Sequence, residues 1–451
     1  MKEGIKSFGW NGFSQAYRVI FSSVVLIFLA RIVSVEDFGI IGMSAVFVIF
    51  FNMLLNIGLD TSLIHSKTSN EHHLFTLFVF SIAVGIFLTL IGYAAAPLIG
   101  LFYENEETGV VFRALTFSVF FASIGLIPKG FLQKELQFKK IAIIDLIGIT
   151  IAGIVAIVMA QKEYGYWALV AQQLLTVLLA SIGYLIVQWT KIFNTLVFYK
   201  SIIVEHLKFG YNVLLFNTVN FFAQQLDVLL IGKFLGETET GIYTLAFNLA
   251  VKPINLLIQV FNRTIFPFLT KTQLNRVPKV YSSYTTLFFY VFAPLIVLGV
   301  SLSQILIPIV LDEKWLLTLP LIFVFGFQAI RGLISSPSGV LFLVAGQPQK
   351  QWRFSLFISL PFRILGILLG FYAIEHSALG VSIGFNISAT IEMCIGFWIT
   401  FKLVKLGIAQ YFKSFVPIVF SLILLGLVLL AVHIFIAHPW LSIMLQLCIF
   451  V

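Results

Sequence analysis

Apolar residues run along this chain in blocks of about twenty, joined by short polar segments. At 1.5 Å per residue, a helical block of that length crosses a bilayer core of about 30 Å. The blocks predict spans near residues 10–30, 38–62, 74–102, 110–132, 141–160, 166–188, 207–232, 241–262, 284–310, 318–345, 354–374, 379–401 and 414–437. A further span starts near Pro439. No segment alternates polar and apolar residues over about ten positions, so a membrane β-barrel is not expected. The expected fold class is all-α integral membrane, with about 14 transmembrane helices. The first block leads straight into a second without a small-residue cleavage site, which predicts a retained helix and not a removed signal peptide. The final block has only about a dozen residues before Val451, which predicts a partial helix or a chain cut short there.

Composition agrees with lipid as the solvent. Of 451 residues, 60% are hydrophobic and 10% are charged, whereas a soluble domain carries roughly a quarter charged residues. No polar stretch is long enough for a separate soluble domain. The net charge of +9 is scattered over many joints and forms no dense basic tract, so nucleic acid is not an expected partner. Cys394 and Cys448 both lie in apolar blocks, which excludes a disulfide framework and a cysteine zinc site. No cofactor is expected.

Charge also predicts orientation. If the Met1 side is the inside, the inner segments hold 19 Lys/Arg against 4 Asp/Glu, and the outer loops hold 4 against 11. The inner set includes Lys129, Lys134, Lys139 and Lys140, then Lys271, Arg276 and Lys279. The positive-inside rule then places the N-terminus on the cytoplasmic side of the membrane. The seven tryptophans fall near span ends, as an interfacial belt requires.

A shift of 202 positions aligns span one with span seven without gaps. Leu29-Ala30-Arg31 falls on Ile231-Gly232-Lys233, Gly39-Ile40 on Gly241-Ile242, Leu54-Leu55 on Leu256-Leu257, and Asp60 on Asn262. Six spans separate the copies, so both have the same orientation, and the repeat is parallel about an axis along the membrane normal. The expected organisation is a six-helix lobe over 1–200, a pseudo-symmetric six-helix lobe over 201–405 around a shared central cavity, and C-terminal helices over 406–451.

Nine ionisable residues lie within spans: Arg18, Asp60, Arg113, Asp145, Asp227, Lys252, Arg331, Arg363 and Glu392. Each costs roughly 2.5–3.5 kcal/mol if it faces lipid at the midplane, so most must face protein or a wet cavity. Polar residues at helical spacing mark the faces. Span one carries Asn11, Ser14, Arg18 and Ser22; span two Asn52, Asn56 and Asp60; span seven Asn217, Asn220, Gln224 and Asp227; span eight Asn248, Lys252, Asn255 and Gln259; span ten Gln328, Arg331, Ser335 and Ser338. The plainer reading is internal pairing that ties helices together, at about 1 kcal/mol per hydrogen bond. Guanidinium groups suit bidentate contact with phosphate, and a surface of arginine, amide and hydroxyl suits an anionic, hydroxyl-rich cargo. Arg31 and Lys233 are expected to pair with nearby acids, Glu36 and Asp37 or Glu237 and Glu239.

The segment LARIVSVEDFGIIGMSAVFVIFFNMLLNIGLDTSLIH (29–65) resembles the first two helices of polysaccharide exporters of the multidrug/oligosaccharidyl-lipid/polysaccharide superfamily. LIGKFLGETETGIYTLAFNLAVKP (230–253) and IFPFLTKTQ (265–273) resemble that family's seventh and eighth helices. AIIDLIGITIAGIVAIVMAQKEYGYWALVAQQLL (142–175) is similar to its fifth and sixth. The nearest branch is the Wzx-type flippases. The resemblance implies an undecaprenyl-diphosphate-linked oligosaccharide repeat unit as cargo, alternating access between two six-helix lobes, and a place in a bacterial cytoplasmic membrane; no enzyme activity is expected. It also implies a polysaccharide polymerase or export machinery as a partner. On that reading Arg18, Lys252 and Arg331 contact diphosphate, and Asn217, Asn220, Gln224 and Asn248 contact sugar hydroxyls. Asp145, Asp227 and Glu392 are then candidates for ion coupling.

Two rivals make different demands. A drug or cation exporter of the same fold predicts a carboxylate-dominated, aromatic cavity, whereas in-span basic residues here slightly outnumber acidic ones. A membrane glycan polymerase or ligase needs a sizeable outer loop with paired catalytic groups, and the outer loops are short.

Overall fold

A computed structural model of the chain describes residues 2–56, 59, 63, 71–335, 338–435 and 438–450. Asp60 and the side chains of Asn11 and Ser14 lie outside the described residues. Among the described residues there are helices and turns and no strands. In chain order the helices are α1 (Lys2–Ile32), α2 (Val35–Asn56), α3 (Glu71–Tyr103), α4 (Glu106–Leu115), α5 (Phe117–Lys134), α6 (Phe138–Gln161), α7 (Tyr166–Ile192) and α8 (Lys200–Ala250). There follow α9 (Lys252–Lys271), α10 (Val277–Leu306), α11 (Thr318–Ser335), α12 (Ser338–Val344), α13 (Pro348–Phe354), α14 (Leu360–Leu369), α15 (Ala378–Val404), α16 (Ile408–Lys413), α17 (Val416–Phe435) and α18 (Pro439–Phe450).

Each expected span overlaps a helix. Among the described residues, 10 helices are long and apolar enough to cross a membrane by themselves, or 11 if the bent pair Asn217–Ala250 and Lys252–Gln259 counts as one. The chain is a multi-pass membrane protein. The apolar blocks predict about 14 spans, and the difference lies partly in helix length: α18 has 12 residues, short of the ~30 Å core.

Spans seven and eight differ from expectation. The sequence suggests a loop between residues 232 and 241, but α8 runs through it with one break, at Gly236 (φ 81°, ψ −168°). That conformation is open essentially to glycine alone. The break falls on Ser34 under the 202 shift, and Ser34 lies between α1 and α2. The two halves of the repeat therefore share one helix–break–helix plan.

The chain divides into two compact units, Met1–Gly241 and Ile242–Val451. In the first, α6 packs against α1 and α7, and α5 packs against α3 and α7. In the second, α11 packs against α10 and α15, α14 lies along α15, and α17 and α18 rest on α10. Along α17 only Leu422 and Leu429 are buried, while Phe420, Ile423, Leu424 and Leu427 are exposed. An apolar surface of that kind is stable only in lipid, as expected for a helix without charged residues. Of the tryptophans expected near span ends, Trp189, Trp398 and Trp440 are exposed, and Trp315, between α10 and α11, is fully buried.

The helix pairs that begin and end in comparable places in the two units pack differently. Where α6 meets α7, a Cβ added at Gly148 would sit 3.5 Å from its nearest neighbour, in ordinary contact. Where α14 meets α15, a Cβ at Gly384 would run into the Gly366 carbonyl oxygen, and one at Gly366 into Ser388. In the second pair the backbones themselves touch.

Candidate functional site

In the first unit, small residues set up the site. Asp145, Gly148, Ala152 and Ala156 form a buried stripe on one face of α6. Gly153 lets α1 come close, so that Val25 and Phe21 lie 2.8 and 2.9 Å from where its Cβ would be. The approach is fixed by Tyr17, whose hydroxyl lies 3.0 Å from the Thr150 hydroxyl. One residue on, the Arg18 guanidinium Nη2 donates to Asp145 Oδ2. From the opposite side the Tyr184 hydroxyl of α7 donates to Asp145 Oδ1. The Lys129 ammonium stands 5.3 Å from the centre of the Tyr184 ring. Asp145 is 8% exposed, and its two oxygens each have a donor. The Arg18 Nε–H is buried and has no acceptor among the described residues. Two cations thus stand near one carboxylate.

In the second unit a π-helical turn, Ser355–Ser359, precedes α14. Such a turn inserts an extra residue and rotates the side chains that follow, often at functional sites. Here Ser359 Oγ donates to Glu392 Oε1 at 2.7 Å. One helical turn on, Arg363 donates to the same carboxylate through Nε at 3.0 Å and Nη2 at 3.4 Å. This two-pronged geometry is the strong form of a guanidinium–carboxylate pair. The Arg363 guanidinium also covers the Phe385 ring at 5.5 Å. Arg331 reaches across from α11, donating through Nη1 to the Ala389 carbonyl at 3.1 Å. It lies within electrostatic reach of both Arg363 and Glu392. Its Nε–H is buried with no acceptor among the described residues. Again two cations share one carboxylate, and Asn386 and Gln328 extend the polar line at 3.4 Å.

The other predicted residues are placed as follows. Asn217, Asn220, Gln224 and Asp227 share a face of α8 in the first unit, with Gln224 exposed and Asp227 buried. Asp227 Oδ1 accepts the Val228 amide at 2.8 Å. In the second unit Asn248 is half-buried near the end of α8, and Lys252 is exposed at the start of α9. Arg18 and Asp145, predicted for different roles, are partners. So are Arg363 and Glu392. Tyr184, Ser359 and Lys129 are site residues that the spacing argument missed. Tyr184 could have been noticed as a phenol two turns inside a span, away from the interface where tyrosine concentrates. Ser359 could have been noticed four residues before Arg363, on the same helix face.

Lys233 corrects a sequence expectation. Its ammonium pairs with Glu104 at 2.7 Å, not with Glu237 or Glu239. The break at Gly236 redirects the chain, and Glu237 instead accepts from Asn105 Nδ2 at 3.3 Å. The hydrogen bond and charge of Lys233 hold the Glu104 carboxyl below the usual carboxylate range.

Comparison with known proteins decides what kind of molecule carries these clusters. The family described as "Polysaccharide biosynthesis protein" matches residues 28–320, well over half of the chain. This chain belongs to that family. It is 26% identical over 412 residues to the teichuronic acid biosynthesis protein TuaB of Bacillus subtilis, covering 90% of this chain and 84% of that one. It is 26% identical over 404 residues to the lipopolysaccharide biosynthesis protein WzxC of Escherichia coli, covering 87% and 80%. Among solved structures it is similar to the lipid II flippase MurJ in an inward closed conformation, with TM-score 0.75, 14% identity, and 99% and 98% of the two chains covered. That likeness fixes the fold: the polysaccharide family member shares the helical architecture of MurJ.

Proposed function

We propose that this polysaccharide biosynthesis family member carries polyprenyl-diphosphate-linked oligosaccharide units across the cytoplasmic membrane of a bacterium. The supporting observation is that each unit holds a half-buried arginine, Arg18 or Arg331, whose Nε–H is shielded from solvent and lacks an acceptor among the described residues, beside a second cation and one carboxylate. A buried donor left unpaired costs about 1–3 kcal/mol, so each site gains when an anionic oxygen arrives. A phosphate oxygen supplies that acceptor, and a diphosphate supplies several. The relatives' names, WzxC and TuaB, fit such a cargo.

In this reading the lobes 1–200 and 201–405 alternate between faces, with the N-terminus cytoplasmic. Arg18, Lys252 and Arg331 receive the diphosphate, and Asn217, Asn220, Gln224 and Asn248 face the sugar. The polyprenyl chain stays in lipid, and a polymerase takes over the delivered unit. Asp145 gains a definite part, because it holds Arg18 while cargo is absent. Diphosphate must displace it, and the released carboxylate can then take up a proton. Glu392 stands to Arg363 in the same relation, and Asp227 is the remaining buried candidate for coupling. Measured glycan export should fall at least tenfold in Arg18→Ala and recover partly in Arg18→Lys. Normal export in both would remove Arg18 from the pathway. Resistance to cationic dyes on expression, with no glycan export, would favour a drug exporter instead.

A further inference from the structure

Arg113 is an in-span cation that the transport reading leaves unused. Among the described residues no carboxylate pairs with it. Its guanidinium instead lies over the Tyr93 ring, 5.0 Å from the centre. Tyr93 in turn meets Phe117 edge-on at 6.3 Å. Close helix contact sets this up. A Cβ at Gly92 would meet the Thr116 side chain at 2.6 Å, and one at Gly109 would meet the Ala96 carbonyl at 2.9 Å. Those two contacts hold α3 against α4 and the start of α5, and they bring Tyr93 nearly level with Arg113. The arginine is half-buried, and its Nε–H is enclosed with no acceptor among the described residues.

Exposed apolar residues surround this cation. Val110, Arg113 and Phe117 follow steps of three and four along one helix face, and Val110, Phe117, Tyr93 and Leu90 are all exposed. Depth follows from length. Glu106–Lys134 is one span of 29 residues, about 43 Å long against a hydrocarbon core of about 30 Å. With the excess shared between both ends, Arg113 lies about 4 Å inside the hydrocarbon edge, where its long side chain reaches the headgroup layer. A cation on a lipid-facing stripe is costly unless an anion meets it, and lipid phosphates stand at that level. One guanidinium matches one phosphodiester. The clusters described above each set two cations beside a carboxylate, whereas here one guanidinium rests on a ring. A diphosphate therefore fits poorly. Glu106 is exposed on the same face, about 10 Å nearer the membrane surface, and would repel a dianion. The same Glu106 suits an ammonium headgroup lying outside its own phosphate.

We propose that Arg113 and Tyr93 form a binding site for the phosphodiester of a bilayer phospholipid, at the membrane face where α3 ends and α4 begins. Tyr93 is the shelf under the guanidinium, whose Nη groups take the phosphate oxygens. The test uses the full chain in a neutral detergent, with bound lipid counted by native mass spectrometry. The probe is dioleoyl phosphatidylethanolamine, which carries no net charge and so is not drawn to the basic inner segments. Dioleoylglycerol, with the same chains and no phosphate, is the control. The parent should bind the first probe molecule about tenfold more tightly than the control. Arg113→Gln should lose that preference, and Arg113→Lys should recover part of it. Tyr93→Leu should weaken probe binding about threefold, as loss of a cation–π contact requires. Equal binding of probe and control by the parent overturns the site, and so does parent-like binding by Arg113→Gln. If Arg113→Gln fails to fold, Tyr93→Leu decides, and unchanged affinity there overturns the site. A parent that takes undecaprenyl diphosphate but not phosphatidylethanolamine also overturns it. Export is not the readout, so the result is independent of the cargo reading.

Discussion

The charge clusters of the two units answer one electrostatic problem on different scaffolds. In the first, Asp145 sits on an α-helix and is gripped by side chains from two neighbours, Arg18 of α1 and Tyr184 of α7. In the second, Glu392 takes both of its main donors, Ser359 and Arg363, from one helix, and a π turn ends at Ser359. The first carboxylate is thus a bolt between three helices, and the second is a clasp between two. The helix pairs behind them differ in the same sense. Between α6 and α7 there is room for a Cβ at Gly148, whose nearest neighbours are 3.5 Å away, whereas between α14 and α15 a Cβ at Gly384 has none. A pair with room for a methyl group tolerates small adjustments, but direct backbone contact fixes the spacing. The comparison teaches that two units can each shield a carboxylate beside an arginine without the repeat relating them: Asp145 lies on span five and Glu392 on span twelve, and the 202 shift sets neither on the other.

The strongest test of this contrast is removal of each carboxylate. Glu392→Ala removes the carboxylate to which both Arg363 and Ser359 donate and should cost about 3 kcal/mol, read as reduced resistance to denaturant in detergent or bicelles. Asp145→Ala should cost less, about 2 kcal/mol, because the Arg18 side chain is 34% exposed and solvent screens it. Equal losses would erase the distinction.

The glycine pairs come next. Gly384→Ala should destabilise by about 2 kcal/mol because no side chain can yield to the new methyl group. Gly148→Ala should stay within about 0.5 kcal/mol of the parent, helped by alanine's helix propensity. Comparable unfolding midpoints for the two variants would show that backbone contact does not distinguish the units.

Tyr184→Phe removes one donor from Asp145 while keeping the ring, and should cost about 1.5 kcal/mol, the worth of a hydrogen bond to a charged acceptor. The smallest effect is expected at Lys233 and Glu104. The Glu104 carboxyl is held below its ordinary value, so the pair's contribution is present at neutral pH. It is lost as pH falls through that lowered value. Thermal unfolding of the parent and of Lys233→Met should differ slightly at pH 7 and converge in strong acid. A gap that widens on acidification would contradict the pairing.

Much of this was legible in one dimension. The span windows could be read because hydrocarbon demands helices of a set length with few charges, and that demand is written in consecutive residues. The repeat was legible from Arg31 and Lys233, Gly39 and Gly241. The arginines at 18, 331 and 363 were visible as expensive residues within spans. Their partners were not. Arg18 and Asp145 are 127 positions apart, and helical periodicity says which residues share a face without saying which faces meet. Lys233 shows the limit most directly: the acids nearest in sequence were the reasonable guess, and the glycine break next to them sent the lysine to Glu104.

Sequence by itself therefore determined that this protein lives in lipid, that the pattern of spans one and two recurs in spans seven and eight, and that its spans hold charged residues. These follow from transfer free energy and periodicity, which are properties of a single helix in its solvent. Only the tertiary structure decided that each carboxylate is shared by an arginine and a hydroxyl, and that Arg113 lies over the Tyr93 ring. Those outcomes depend on how close two helices can approach, and that distance is set jointly by side chains far apart in the chain.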